Sequence, residues 1–400
     1  MKSLSLFKME QWLEEHRFSA QFNMGESGAR PRTVGDLLQL SGVTQEQSTQ
    51  IFLNTLLCDS PNWGRSDLRN IIAQMHPGAD LQNVLITTGT SEALFLLMRQ
   101  LRPQKIAMLS PAFQLLHEIP EALDAEIIAL PVQWNAHGTP QSNWNLWFSI
   151  LESKKPDVLL FNHPHNPSGL CFSELELDTL IEFCDIHKIT LVADEHYRFL
   201  TESAQKKQFL QKNEFAQSSN SALFANHLGP TLYRQNKSIY CTGSYIKCVG
   251  APGLRIGWCV GNTDVLSAMQ NEKNYTTHTV NPIAEWISLE VLENLESGQL
   301  FQNILAEWNQ NKLLLNEFVT YHGCFWNCTA PQGGLVCSLL PKMTMPLQWE
   351  TLAIQKLIAA GIFLLPLSTF RNAPQGFRLG LGIEPKLFKN ALMTLKTLEI

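Results

Sequence analysis

The sequence predicts an α/β fold, with a large domain built on a mostly parallel sheet covered by helices on both faces and a smaller α+β domain. Three observations lead there. From about residue 80 to residue 261, short apolar runs of strand length alternate with helical patterns, the rhythm of parallel strands joined by crossover helices. Those runs are apolar on both faces, as in VLITTG (84–89) and DVLLFNHP (157–164), which suits strands with no solvated side. Beyond residue 282 the texture changes to a long helical region followed by sparse strands.

Taken in order, Leu6, Phe7, Met9, Trp12 and Leu13 recur at helical spacing and predict a short N-terminal helix. FNMGESGARP (22–31) reads as a loop punctuated by Gly25, Gly28 and Pro31. Helical patterns fill 36–76, with a turn at Ser60-Pro61-Asn62. The strand runs are then 84–89, 105–111, 126–132, 157–164, 189–195, 238–244 and 256–261, with helices at 91–101, 114–123, 145–153 and 173–187 between the first five. Residues 282–319 read as helical, followed by CTAPQGGLVCSLLP (328–341), a helix at 350–359, GIFLLP (361–366), GFRLGLG (376–382) and a terminal helix. Residues 1–45 are expected to join the small domain, 46–285 to form the large domain and 286–400 to complete the small one.

Composition excludes several classes. Lys and Arg number 30 against 36 Asp and Glu, a net charge of −6, which argues against a nucleic-acid binder. Charged residues are 16% of the chain, against about 25% in an average domain. No run approaches the ~20 apolar residues of a membrane span. The nine cysteines form no paired CxxC pattern, so free thiols, a cytoplasmic setting and no metal are expected.

Ligands bind at the carboxyl ends of strands in open α/β sheets, and four candidate segments stand there. TTGTSEAL (87–94) places Thr90 and Ser91 at a helix start, where amides and hydroxyls can hold a phosphate; the same residues also fit a plain cap. FNHPHNPSG (161–169) carries Asn166 and Pro167 in a turn. VADEHYRF (192–199) ends an apolar strand with Asp194 and Glu195, so a carboxylate in need of a cation enters a buried region, with Tyr197 three residues on. GSYIKCVGAPGLRIGW (243–258) sets Lys247 between a strand and a Gly/Pro-rich loop. Partial burial depresses a lysine pKa and favours imine chemistry, and Ser244 and Arg255 flank it as anion ligands. Together with Phe113 in SPAF, these residues supply what pyridoxal 5′-phosphate requires: an amine, a phosphate cradle, an acid for the ring nitrogen and a stacking platform.

From about residue 20 to its end, the chain resembles the class I and II aminotransferases, the fold-type I pyridoxal-phosphate enzymes. The resemblance rests on Asn166 and Asp194, on Tyr197, and on Ser244, Lys247 and Arg255 within GSYIK…PGLRIGW. It implies that Lys247 carries the cofactor as an imine and moves the proton between Cα and C4′, and that Asp194 pairs with the ring nitrogen. It further implies that Tyr197 and Asn166 bind the ring oxygen, that Phe113 stacks on the ring, and that Thr90, Ser91, Ser244 and Arg255 hold the phosphate. Arg378 in GFRLG is implied to grip the substrate carboxylate, with Gly28 and Asn166 beside the substrate. The implied reaction moves an amino group from an amino acid to a 2-oxo acid in a homodimer, with neither nucleic acid nor membrane as partner. The low charge would then reflect a broad apolar subunit contact.

All six tyrosines lie at or beyond Tyr197, so the tyrosine that family members often supply across the dimer is absent, and Asn62 or Trp63 stands in its segment. Leu367 replaces a frequent family glycine. FNMGESGARPRTVGDLL, DSPNWG and TTGTSEAL resemble the capreomycidine synthase branch, which implies β-elimination and cyclisation of a hydroxylated arginine as an alternative. That alternative needs an acid facing a guanidinium, and Glu26 and Asp59 are the candidates; Arg30 and Arg32 could instead receive an acidic substrate. Lys247 and Asp194 together argue against a catalytically silent ligand-binding domain.

Overall fold

The computed structural model describes residues 2–202, 228–295, 298–321 and 324–398. Seven strands form the central sheet in the order Val84–Thr87, Gly257–Val260, Ile239–Gly243, Thr190–Asp194, Val158–Asn162, Lys105–Ser110, Glu126–Pro131. The last five of these run parallel, and Gly257–Val260 is antiparallel to both its neighbours. Every residue of Val84–Thr87, Val158–Asn162, Ile239–Gly243 and Gly257–Val260 is buried. That burial is why these strands read as continuous apolar runs. Lys105–Ser110 pairs with Glu126–Pro131 on one side and Val158–Asn162 on the other, so the strand order reverses there. Binding sites in such sheets gather beyond the carboxyl ends at this reversal.

A second, antiparallel sheet has the order Trp326–Asn327, Val336–Pro341, Phe377–Gly380, Leu365–Pro366. The helix Lys8–His16 lies on it, burying Met9 and Leu13 among Phe363, Leu365 and Leu367. Leu367 is fully buried in that cluster, so its side chain fills core space. Helical texture over 282–319 resolves into Pro282–Glu293 and Leu300–Thr320. The helix Thr263–Lys273, which the pattern reading passed over, starts at Asn262, whose side chain accepts from the Asp264 and Val265 amides.

The expected loop at 22–31 proves to be a seam. Phe22 and Asn23 pair in parallel with Ile362 and Phe363. Gly380 N then donates to Met24 O at 2.7 Å, Arg30 N to Gly382 O at 2.6 Å and Arg32 N to Gly250 O at 2.9 Å. These bonds lace one extended segment to strands from the far end of the chain and to the turn after Lys247.

Asp194 and Glu195 leave their strand in opposite directions, and Glu195 enters the core. It accepts from Thr231 Oγ1 at 3.0 Å and Leu232 N at 2.6 Å, and pairs with Arg198 at 3.4 Å. Arg198 also binds the Met75 and Gly229 carbonyls, both at 2.8 Å, and His76 Nε2 at 3.2 Å. Burial pushes the Glu195 pKa up, but Arg198 and His76 outweigh it and hold the carboxyl at about 2. A depressed carboxylate stabilises the fold above its ordinary pKa of 4.5 and loses that contribution as pH falls towards 2. Glu195→Gln leaves Arg198 uncompensated, so it should destabilise the protein by about 3 kcal/mol at neutral pH. Denaturant titrations should show that gap closing below pH 4.5; a gap independent of pH would refute the account.

Candidate active site

Asp194 ends its strand 4% exposed, and three side chains hold it. Asn162 Nδ2 donates to Oδ2 at 3.0 Å, Thr242 Oγ1 to Oδ1 at 3.4 Å, and His196 Nδ1 lies 3.1 and 3.2 Å from the two oxygens. Asn162 and Thr242 are the register partners of Asp194 on the neighbouring strands, so sheet pairing itself aims them at the carboxylate. Asn162 Oδ1 also accepts from Asn166 N at 2.8 Å, which fixes the turn that carries Asn166.

Lys247 sits on the short helix Ile246–Val249. Its Nζ donates to Ser27 Oγ at 2.7 Å, and among the described residues no carboxylate lies within ion-pair distance. Burial, followed by the nearby Arg378 charge, lowers its pKa from 10.5 to about 8. The neutral, nucleophilic amine is therefore far more populated near neutral pH than on an ordinary lysine, although the ammonium still predominates at pH 7. The Ser27 carbonyl accepts from Tyr197 Oη at 2.7 Å, so one residue of the seam joins the amine to the phenol. Gly28 crosses the Lys247 backbone, where a Cβ would come 3.2 Å from Lys247 O, and Ala29 N donates to that oxygen at 2.7 Å.

Arg378 is 1% exposed. Nη1 donates to Asn166 Oδ1 at 3.2 Å and Nη2 to Gly25 O at 2.6 Å, while the guanidinium faces the Phe370 ring at 5.8 Å. Its Nε is buried and, among the described residues, meets no acceptor. A buried donor without a partner is costly, and a ligand carboxylate would satisfy it.

The anion cradle forms where Thr90–Leu101 begins. Gly89 precedes it with φ +82°, a conformation that favours glycine. The first-turn amides of a helix have no intrahelical acceptor, and Thr90 and Ser91 are half-buried there. An Arg255 Nη lies 3.1 Å from the position of a Gly89 Cβ, and a Cβ on Gly257 would fall 2.6 Å from Thr90 N; glycines at both positions keep the cradle open. Ser244 Oγ donates to Ile256 O at 2.7 Å and braces the Arg255 turn. Phe113 is half-buried at the start of Gln114–Ala122, with its ring 5.6 Å from that of Phe7.

Other expectations are corrected. Glu26 does not offer a free acid, because its carboxylate lies 3.2 Å from Arg17. Asp59 is exposed in a groove of about 580 Å³ whose lining includes none of the residues around Lys247. Arg30 and Arg32 are both committed to Glu307, at 2.8 and 3.3 Å, and cannot receive an acidic substrate unless that pairing breaks. Asn62 Nδ2 bonds Asn274 Oδ1 at 2.9 Å, and Trp63 lies under Arg69. Ser27, Asn162 and His196 are the site contacts that residue spacing passed over.

Residues 57–395 match the family described as aminotransferase class I and II. The chain belongs to that family. It is a pyridoxal-phosphate-dependent enzyme of the fold-type I class. Among its relatives, capreomycidine synthase of Streptomyces vinaceus is 25% identical over 388 residues, 95% of this chain and 90% of the relative. Aspartate aminotransferase of Pyrococcus horikoshii is 23% identical over 266 residues, 64% of this chain and 61% of the relative. A PLP-dependent aminotransferase from Streptococcus suis shares the fold with a TM-score of 0.80 at 20% identity, covering 98% of this chain and 97% of that one. No helix among the described residues is long and apolar enough to cross a membrane.

In this aminotransferase-family chain, competitive acylation of the cofactor-free protein should show Lys247 reactivity rising with pH to a midpoint near pH 8. Arg378→Gln should move that midpoint upward. A midpoint near the ordinary 10.5 would contradict the burial argument.

Proposed function

We propose that the enzyme transfers an amino group from a carboxylate-bearing amino acid to a 2-oxo acid, with pyridoxal phosphate carried on Lys247. The observation that carries this reading is the chain of contacts that brings four groups into one cleft. Lys247 reaches Tyr197 through Ser27, and Arg378 reaches Asp194 through Asn166 and Asn162. The cofactor fits these residues: the amine is held near neutrality, the buried Arg378 Nε needs an acceptor, and glycines keep the cradle open.

When bound, pyridoxal phosphate supplies the electron sink that lets the substrate Cα lose its proton. The residues do the rest. Asp194 presents a fixed carboxylate to the ring nitrogen and keeps a proton there. Tyr197 and Asn166 stand by the ring oxygen, and Phe113 offers an aromatic face. Thr90, Ser91 and Arg255 receive the phosphate, with Ser244 holding the turn that carries Arg255. Arg378 binds the substrate carboxylate and orients Cα, and the freed Lys247 amine moves the Cα proton.

A second reading is β-elimination and cyclisation of a hydroxylated arginine-type substrate. The capreomycidine synthase relative, aligned along 95% of the chain, supports it. It requires the substrate guanidinium to take the place of Arg17 on Glu26. The first reading stands because residues 57–395 match the class I and II aminotransferase family and other relatives, such as the aspartate aminotransferase of Pyrococcus horikoshii, are named as aminotransferases.

We also place the enzyme as a homodimer in a reducing, cytoplasmic setting. The helix Gln45–Asn54 buries none of its residues, and Phe52, Leu53, Leu56 and Leu57 are 53–83% exposed, an apolar face that a second copy would cover. Nine free cysteines suit the setting.

Borohydride reduction and peptide mapping should find the cofactor on Lys247, and label on another lysine would sink the assignment. Incubation with amino donors should convert the cofactor to pyridoxamine phosphate with release of a 2-oxo acid; turnover without pyridoxamine phosphate would favour elimination. Arg378→Ala should raise KM for carboxylate substrates roughly 30-fold or more, the value of a lost charged hydrogen-bond pair, while leaving the cofactor absorbance in place.

A further inference from the structure

We propose that His196 is a positioning residue that fixes the orientation of the Asp194 carboxylate, so that the carboxylate faces the ring nitrogen of the bound cofactor and the proton stays there. This rests on the reading that pyridoxal phosphate sits on Lys247 with its ring nitrogen at Asp194.

The geometry gives the His196 ring a single polar task. Nδ1 lies 3.1 Å from Asp194 Oδ1 and 3.2 Å from Oδ2. An ionised carboxylate can only accept, so Nδ1 carries the proton and donates it. Nε2 is buried and, among the described residues, has no hydrogen-bond partner, so in the neutral ring it is the bare nitrogen. The ring packs on Tyr197 at 4.0 Å between centroids, tilted 48°, and the His196 backbone carbonyl accepts a long contact from Cys248 Sγ at 3.4 Å. The side chain is 12% exposed. A buried imidazole is an expensive way to fill space, because a polar group taken from water must recover its hydrogen bonds. Here the only bond recovered is the one to Asp194.

The direction of the effect follows from the chemistry. Asp194 and a pyridinium share one proton between two bases. Each donor on the carboxylate lowers its proton affinity, which leaves the proton on nitrogen. Asn162 and Thr242 donate as well, but neither spans both oxygens. Losing His196 therefore removes the donor that touches both carboxylate oxygens, lets the carboxylate rotate and weakens its hold on the ring nitrogen.

Three variants separate this role from simple packing. His196→Phe keeps the ring and removes the donor. His196→Leu removes both and serves if the Phe variant does not fold. His196→Asn returns an N–H to the Nδ1 position. Binding of pyridoxal phosphate is measured by equilibrium dialysis, and the protonation of its ring nitrogen by the ¹⁵N chemical shift of labelled cofactor. The Phe or Leu variant should bind the cofactor roughly tenfold or more weakly, as expected for loss of a charged hydrogen bond. Its ¹⁵N signal should move towards the unprotonated pyridine value. The Asn variant should stay within about threefold of wild type, with its ¹⁵N signal near the wild-type position. Apolar variants that match wild type in both readouts, or an Asn variant that fails as badly as Phe, overturn the inference. Wild-type protein is reduced with borohydride in parallel. If its label is not on Lys247, the functional reading falls and this inference with it; if the label is there and the apolar variants behave as wild type, this inference alone falls.

Discussion

Lowering the pKa of a buried lysine amine is the constraint on which the rest of this structure depends. Lys247 has a hydroxyl, Ser27, where a surface lysine would have a carboxylate. Its cationic neighbour Arg378 pushes in the same direction as burial. Glu26, Glu10 and Asp194 pull the other way, but burial and Arg378 outweigh them. Other acids near the seam are engaged elsewhere: Glu195 turns into the core to meet Arg198, and Glu307 pairs with Arg30 and Arg32.

Asp194 shows the opposite arrangement. It is held by hydrogen bonds from Asn162, Thr242 and His196, and among the described residues no lysine or arginine pairs with it. Two of those donors are fixed by sheet register, so a central strand doubles as a scaffold for an acid. Two adjacent residues, Asp194 and Glu195, therefore serve unrelated ends because a strand sends successive side chains to opposite faces. One equips the cleft, and the other anchors the core beneath it.

Much of the fold was legible because buried parallel strands write themselves as apolar runs, and because the helices between them carry strong periodicity. The helix Thr263–Lys273 escaped for want of a long apolar stripe, although Asn262 marked its start. In the cleft, residues tied to strand ends by short spacing were legible as candidates: Asp194, Tyr197, Asn166 and Lys247. Ser27 was not, since it meets Lys247 across 220 positions of sequence and nothing local marks a serine in a Gly-rich stretch. Arg30 and Arg32 looked free for the same reason. Their partner Glu307 lies on a long helix far along the chain, and periodicity does not reveal which loop a helix will face.

The seam at residues 22–32 has a consequence for how the molecule comes into being. Ser27 is held where it can meet Lys247 by bonds such as Gly380 N to Met24 O and Arg30 N to Gly382 O. The first strand of the seam also pairs with Ile362–Phe363. Residues 22–32 and residues 362–382 must therefore find each other before the cleft between them is finished. On a ribosome the central sheet can assemble early, since its strands are complete by residue 260, but the residues around Lys247 stay open on one side until the last strand emerges. Such long-range closure is a slow class of contact, so completion of the cleft waits on the pairing of residues 22–32 with residues 362–382.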